Sequence, residues 1–109
     1  MADEPTRYEA LAGDALKTAV ASLNVGWSAL PGRGLVRVVE TPGFDEGFDL
    51  VGKIVQAARR HNHHPEITLR YGEVEIALTT HEAGGITDAD VRLARELDGL
   101  IAGSLADQS

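Results

Sequence analysis

The chain has 109 residues, a formal net charge of −7, 43% apolar residues and no cysteine. One domain of this size buries a core without staples, and the missing cysteines exclude disulfides, thiolate nucleophiles and cysteine-based zinc sites. The acidic balance argues against a nucleic-acid partner, because Arg59 and Arg60 are adjacent but no longer basic run exists.

Nothing near the ~20 apolar residues that span a bilayer occurs, and the acidic, polar start of the chain lacks a secretory pattern. A cytoplasmic protein with no membrane partner is therefore expected. The first helix is predicted over residues 6–23. Thr6 and Glu9 have capping-box spacing, and Leu11, Ala12, Ala15, Leu16, Ala19 and Leu23 recur on one side. Two short strands follow, over residues 26–30 and 35–41, joined by a turn at Pro31-Gly32-Arg33-Gly34. Thr41-Pro42-Gly43 ends the second strand. A helix over residues 44–61 is then predicted, with Phe44, Phe48, Val51, Ile54, Val55 and Ala58 as its core-facing stripe. Pro65 pushes His64 into extended backbone. Strands are predicted over residues 66–71 and 73–80 around a turn at Gly72, with Val74, Ile76 and Leu78 on the buried face. A last helix starts at Thr87-Asp88-Ala89-Asp90 and buries Leu93, Ala94, Leu97, Leu100 and Ile101. The order α-β-β-α-β-β-α predicts an α+β fold: a four-stranded antiparallel sheet with three helices packed on one face, in a single domain over residues 1–109.

Chemistry concentrates in the histidines. Three lie in His61-Asn62-His63-His64, and the fourth is His81. A hairpin turning at Gly72 brings its two ends together, so His81 is expected beside His63 and His64. Adjacent residues on extended backbone point to opposite sides, so His63 and His64 are not expected to share one task. Histidine titrates near neutrality and suits proton transfer. On the residues alone, a structural role, a metal site and metal-free acid–base catalysis all stay open.

The ordered set Val25-Gly26-Trp27, Gly32-Arg33, Phe44 to Phe48, His63-His64-Pro65-Glu66, Tyr71, Thr80-His81-Glu82 and Asp90 resembles the pterin-4a-carbinolamine dehydratases. The resemblance implies a hydro-lyase that removes water from a 4a-hydroxytetrahydropterin, yielding a quinonoid dihydropterin and recycling the cofactor of aromatic amino acid hydroxylases. It implies no metal and no cofactor, a homodimer or homotetramer, and a functional link to such a hydroxylase. By position, His63, His64 and His81 are similar to the family's active-site histidines, and His64, Pro65, Glu66, Glu82 and Asp90 to pterin-contacting positions. The chemistry needs an acid for the leaving oxygen and a base for the N5 proton. His63 and His81 are expected to be that pair, with His64 orienting the pterin. The sequence departs from the family at Ile67, where tryptophan is usual, at Arg59, where an acidic residue is most common, and at Ala83, where cysteine is frequent. A noncatalytic binding or assembly module on the same fold is the alternative, since some relatives bind transcription factors and others resemble assembly factors for carbon-fixing enzymes.

Overall fold

The computed structural model describes residues 9–106, and side chains through residue 104. The elements are α1 (Gly13–Ala21), β1 (Ser28–Leu30), β2 (Gly34–Glu40), α2 (Phe44–His61), β3 (Glu66–Arg70), β4 (Glu73–Leu78), a single 3₁₀ turn (His81–Ala83) and α3 (Asp88–Ala106). The four strands form one antiparallel sheet in the order β1-β2-β4-β3. The two hairpins of the chain thus meet through β2 and β4, whose register runs from Leu35↔Leu78 to Glu40↔Glu73.

Paired residues share a face, so the register sorts the sheet. Leu35, Arg37 and Val39 lie with Leu78, Ile76 and Val74, and with Ile67 and Leu69 of β3, on the inner face. Residues of α1, α2 and α3 join them in one apolar cluster. Arg37 is the polar member of this face. Its Nη1 donates to Asp98 Oδ1 of α3 at 2.6 Å, and Trp27 Nε1 donates to the same oxygen at 2.7 Å. Asn24 N–H donates to the other oxygen at 2.9 Å. One carboxylate of α3 thereby ties down the chain entering β1 and the middle of β2. The outer face carries Glu66, Thr68, Arg70, Glu73 and Glu75, with Arg70 paired to both Glu73 and Glu75.

Two sequence expectations are corrected. The first helix begins at Gly13, not at residue 6. Leu11 gives its amide to Ile86 O at 2.7 Å, Ala12 is extended, and Gly13 has φ +56°, so the chain here is a strap and the helix follows it. The capping box at Thr6 lies outside the described residues. The second correction concerns α2. Its buried face is Gly47, Leu50, Ile54, Ala57 and Ala58, while Phe44 and Phe48 are 48% and 65% exposed. The close approach at Gly47 explains the choice. A Cβ there would stand 2.8 Å from Leu69 Cδ1, so the helix docks on its smallest side and turns both phenylalanines outward.

Candidate active site

Helix α2 ends by reversing direction. Asn62 adopts left-handed backbone (φ 49°, ψ 44°), and His63 N–H donates to Ala58 O at 3.1 Å. This is the bonding of a Schellman-type cap, and asparagine tolerates left-handed backbone better than other residues with a Cβ. Pro65 then commits the chain to β3. The His63–His64 pair is thus held between a helix cap and a strand start.

Alternation along the hairpin divides the site. The β3–β4 register Glu66↔Ala77, continued outward, sets His64 opposite Thr79. Residues 64 and 66 thus share one face of the hairpin with 77 and 79, and these four line a cavity of about 370 Å³ together with His81, Gly32, Arg33 and Pro65. His64 and His81 thus face a common space from the two ends of the hairpin. Arg33 overhangs it from the β1–β2 turn, 2.8 Å from Glu75 and 3.6 Å from Glu66. Arg33, with Arg70 second, holds the Glu75 carboxyl below the usual carboxylate range.

Residues on the other side of the hairpin turn inward and build a support. His63 Nε2 lies 2.5 Å from Asp90 Oδ1, and Thr80 Oγ1 donates to Asp90 Oδ2 at 2.8 Å. Asp90 is fully buried and also accepts from Thr87 N–H at 2.9 Å. Thr80 commits its only hydroxyl proton to Asp90, so Thr87 must donate across the 2.8 Å contact between the two hydroxyls. Ala89 N–H in turn donates to Thr87 Oγ1 at 3.2 Å. The chain of donors runs Ala89, Thr87, Thr80, Asp90, each step pointing toward the carboxylate. A carboxylate only accepts, so the contact with His63 places a proton on Nε2 and leaves Nδ1 as the free ring nitrogen. Thr80 also anchors the turn that carries His81: its carbonyl accepts from the Ala83 and Gly84 amides, both at 3.1 Å. Asp90 therefore clamps the His63–His64 strand start to the Thr80–His81 turn.

The expected site residues separate accordingly. His64, Pro65, Glu66 and His81 line the cavity. His63 and Asp90 lie behind it, bonded to each other. Glu82 is exposed on the 3₁₀ turn and is not part of the cavity wall. Ile67 packs against the core on the inner face and Arg59 is exposed, so neither departure from the family pattern alters the wall. Sequence reasoning did not single out Arg33, Thr79 or Thr80 as site residues. The signal for Thr79 was available in its alternation with His81, and that for Arg33 in the glycine turn that delivers it. Gly34 has φ +95°, and a Cβ there would stand 2.0 Å from Leu78 O. Only glycine lets the turn lie that close to β4. Among the described residues, no group of three or more His, Asp or Glu is placed to hold a metal ion, and no helix is long and apolar enough to cross a membrane.

A four-stranded antiparallel sheet with three helices, carrying two histidines across one cavity and a buried carboxylate behind them, defines the class: a small α+β protein with paired imidazoles facing one cavity. Comparison with known proteins places it further. The chain belongs to the pterin-4a-carbinolamine dehydratase family: the profile described as Pterin 4 alpha carbinolamine dehydratase matches residues 9–100. A protein of Nitrobacter hamburgensis named "Putative pterin-4-alpha-carbinolamine dehydratase" is 40% identical over 93 residues, covering 84% of this chain and 91% of its own. One of the same name from Thermomicrobium roseum is 46% identical over 72 residues, covering 66% of this chain and 76% of its own. The crystal structure of a transcriptional coactivator/pterin dehydratase from Brucella melitensis superposes with a TM-score of 0.78 at 26% identity, covering 85% of this chain and 99% of that one.

Proposed function

We propose that the protein dehydrates a 4a-hydroxytetrahydropterin, with His64 and His81 as the proton-transfer pair and His63 as a positioning residue. The observation that carries this reading is the shared cavity of His64 and His81, with Arg33 and Glu66 on its rim. In the reaction one imidazole protonates the C4a oxygen as the C4a–O bond breaks, and the other takes the N5 proton. The N5 electron pair forms the C4a=N5 bond, water leaves, and the proton gained by one histidine replaces the one lost by the other. No electron leaves the system. Each proton transfer contributes roughly 10²–10⁴-fold.

The geometry favours His64 over His63 as the partner of His81, because Nε2 of His63 is already committed to Asp90. Asp90 is buried and acts through His63 and Thr80 without reaching the pterin. Glu66 stands where a carboxylate can accept from the amino-pyrimidine edge of the substrate, and Pro65 supplies an apolar wall. The quinonoid product is two electrons more oxidised than a tetrahydropterin, so a separate reductase must act on it before an aromatic amino acid hydroxylase can use the cofactor again.

The test is stopped-flow dehydration of chemically generated 4a-hydroxytetrahydropterin. Turnover above buffer background is expected, with His64→Ala and His81→Ala each lowering kcat at least tenfold in folded protein. A parent rate equal to background refutes the reading. A noncatalytic binding module is the second reading, and one observation favours it: Phe44 and Phe48 stand exposed one helical turn apart on α2. That reading predicts no turnover at all.

A further inference from the structure

Among the described residues, Arg33 is the one arginine or lysine that lines the cavity of His64 and His81. Its backbone is fixed. Gly34, at φ +95°, lets the β1–β2 turn lie against Leu78 O, and Arg33 N–H donates to Leu30 O at 3.0 Å. Its guanidinium is held as well. Nη2 lies 2.8 Å from Glu75 Oε2, and the Glu75 side chain is only 14% exposed. Arg70 grips the other Glu75 oxygen at 3.1 Å and reaches Glu73 at 2.8 Å, so this carboxylate is fixed from both ends. Glu75 does not line the cavity. It aims the guanidinium from outside. The same Nη2 stands 3.6 Å from Glu66 Oε1 on the cavity rim, and a guanidinium has five N–H groups to share. A donor and an acceptor thus sit side by side at the edge of the space that both histidines face.

We propose that Arg33 reads the 4-oxo group of the pterin while Glu66 accepts from the neighbouring N3–H, and that Glu75 is the positioning residue that holds Arg33 to this task. The inference rests on the dehydratase reading and names the residue by which that site tells pterins from 2,4-diaminopteridines. On the ring, O4 and N3–H are adjacent, an acceptor beside a donor. The Arg33–Glu66 pair offers the complement in the same order. O4 also borders the chemistry, because C4 is bonded to C4a. A ring anchored by O4 at Arg33 keeps C4a one bond from the anchored carbonyl carbon, in the cavity that carries the two imidazoles. In a 2,4-diaminopteridine an amino group replaces O4. That group donates, and it meets a guanidinium that can only donate. A site built to give a hydrogen bond rejects the analogue that cannot take it. Without Arg33 the order reverses. Glu66 alone favours the diamino ring, which is the more basic and can offer a charge-assisted pair.

The experiment is fluorescence titration with 6-methyl-7,8-dihydropterin and with 2,4-diamino-6-methyl-7,8-dihydropteridine at neutral pH. The parent should bind the 4-oxo compound at least about tenfold more tightly, the range of a hydrogen bond to a charged group. Arg33→Met keeps the length of the stem and removes the donors, and it should bring the ratio of affinities to one or below. Arg33→Gln, whose amide both donates and accepts, serves if the Met variant does not fold, and should bring the ratio near one. Glu75→Ala should lower the ratio about threefold or more and raise KM for the 6-methyl carbinolamine more than it lowers kcat. A purely structural role for Glu75 would weaken both ligands together and leave the ratio alone, which overturns its positioning role. Equal affinities in the parent, or a 4-oxo preference that survives intact without Arg33, overturn the assignment of Arg33 and leave the dehydratase reading standing. No saturable binding of the dihydropterin overturns the assignment as well. No turnover of the carbinolamine overturns the dehydratase reading, and this inference with it.

Discussion

Replacing Asp90 with asparagine keeps the shape of the side chain and removes its capacity to accept on both sides. In the parent, Oδ2 accepts from Thr80 Oγ1 and Thr87 N–H, and Oδ1 faces His63 Nε2. An amide has one acceptor end. If its oxygen stays with the two threonines, its NH₂ confronts His63 Nε2, and that nitrogen must give up its proton, leaving Nδ1 as the protonated position. If the amide turns over, its NH₂ confronts the Thr87 N–H. Either way one charge-assisted hydrogen bond at a fully buried site is lost, which costs about 1.5–3 kcal/mol. At about 2 kcal/mol the urea midpoint falls by about 1 M, for a slope near 2 kcal/mol/M, and Tm falls by about 10 °C. Asp90→Ala leaves the Thr87 amide and His63 unpaired in the interior and should cost about 3–5 kcal/mol. Nitrogen-15 NMR of the imidazole adds a readout that stability alone does not, since the Asn variant should switch His63 from the Nε2–H to the Nδ1–H tautomer. On the dehydratase reading, turnover should fall through kcat more than through KM, because Asp90 is fully buried and fixes the histidine-bearing segments. Stability within about 0.5 kcal/mol of the parent, with the tautomer unchanged, would refute the clamp.

Three further outcomes test other joints of the structure. Asn62→Val should cost about 1–2 kcal/mol in urea unfolding, because a β-branched residue resists the left-handed backbone at the end of α2 (φ 49°), while Asn62→Gly should stay within about 0.5 kcal/mol. Gly34→Ala should cost at least about 2 kcal/mol and lower turnover, since its φ is +95° and the methyl would overlap Leu78 O at 2.0 Å beside the cavity. Arg60, and then His61, hold the Glu96 carboxyl below its usual value of 4.5. A depressed folded-state value stabilises above the unfolded one and is lost as pH falls through the folded one. The stability gap between the parent and Glu96→Gln should therefore shrink as pH falls below 4.5. Solvent screening of this partly exposed cluster holds the gap below about 1 kcal/mol. A gap that persists undiminished to pH 2 contradicts the pairing.

Local rules carry the elements of this fold a long way. Gly43 before Phe44, acids in the first turn and bases in the last bound α2 where the pattern put it. The alternation of Val74, Ile76 and Leu78 with glutamates placed β4, and Thr87 with Asp90 marked the start of α3 by the hydrogen bonds that now cap it. Pro65 forced the junction that carries the histidines. These signals are readable in a linear chain because they depend on neighbours within a turn or two.

What the linear pattern could not decide depends on neighbours distant in sequence. Phe44 and Phe48 read as core because they share a helical stripe with Ile54 and Ala58, which are buried, yet the approach of Gly47 to Leu69 and Val74 turns the two phenylalanines outward. Arg37 sits on the inner face because Asp98, on another element, waits to pair with it. Parity foretold that His63 and His64 would part, but not which would face the open space. That choice follows from Asp90, whose buried carboxylate draws His63 inward and leaves His64 to the cavity with His81. Residue types and spacing named the histidines by themselves. Only the packing of α3 against the hairpin assigned one to the support and two to the open cavity, because a buried charge must be paired wherever the fold brings a partner within reach.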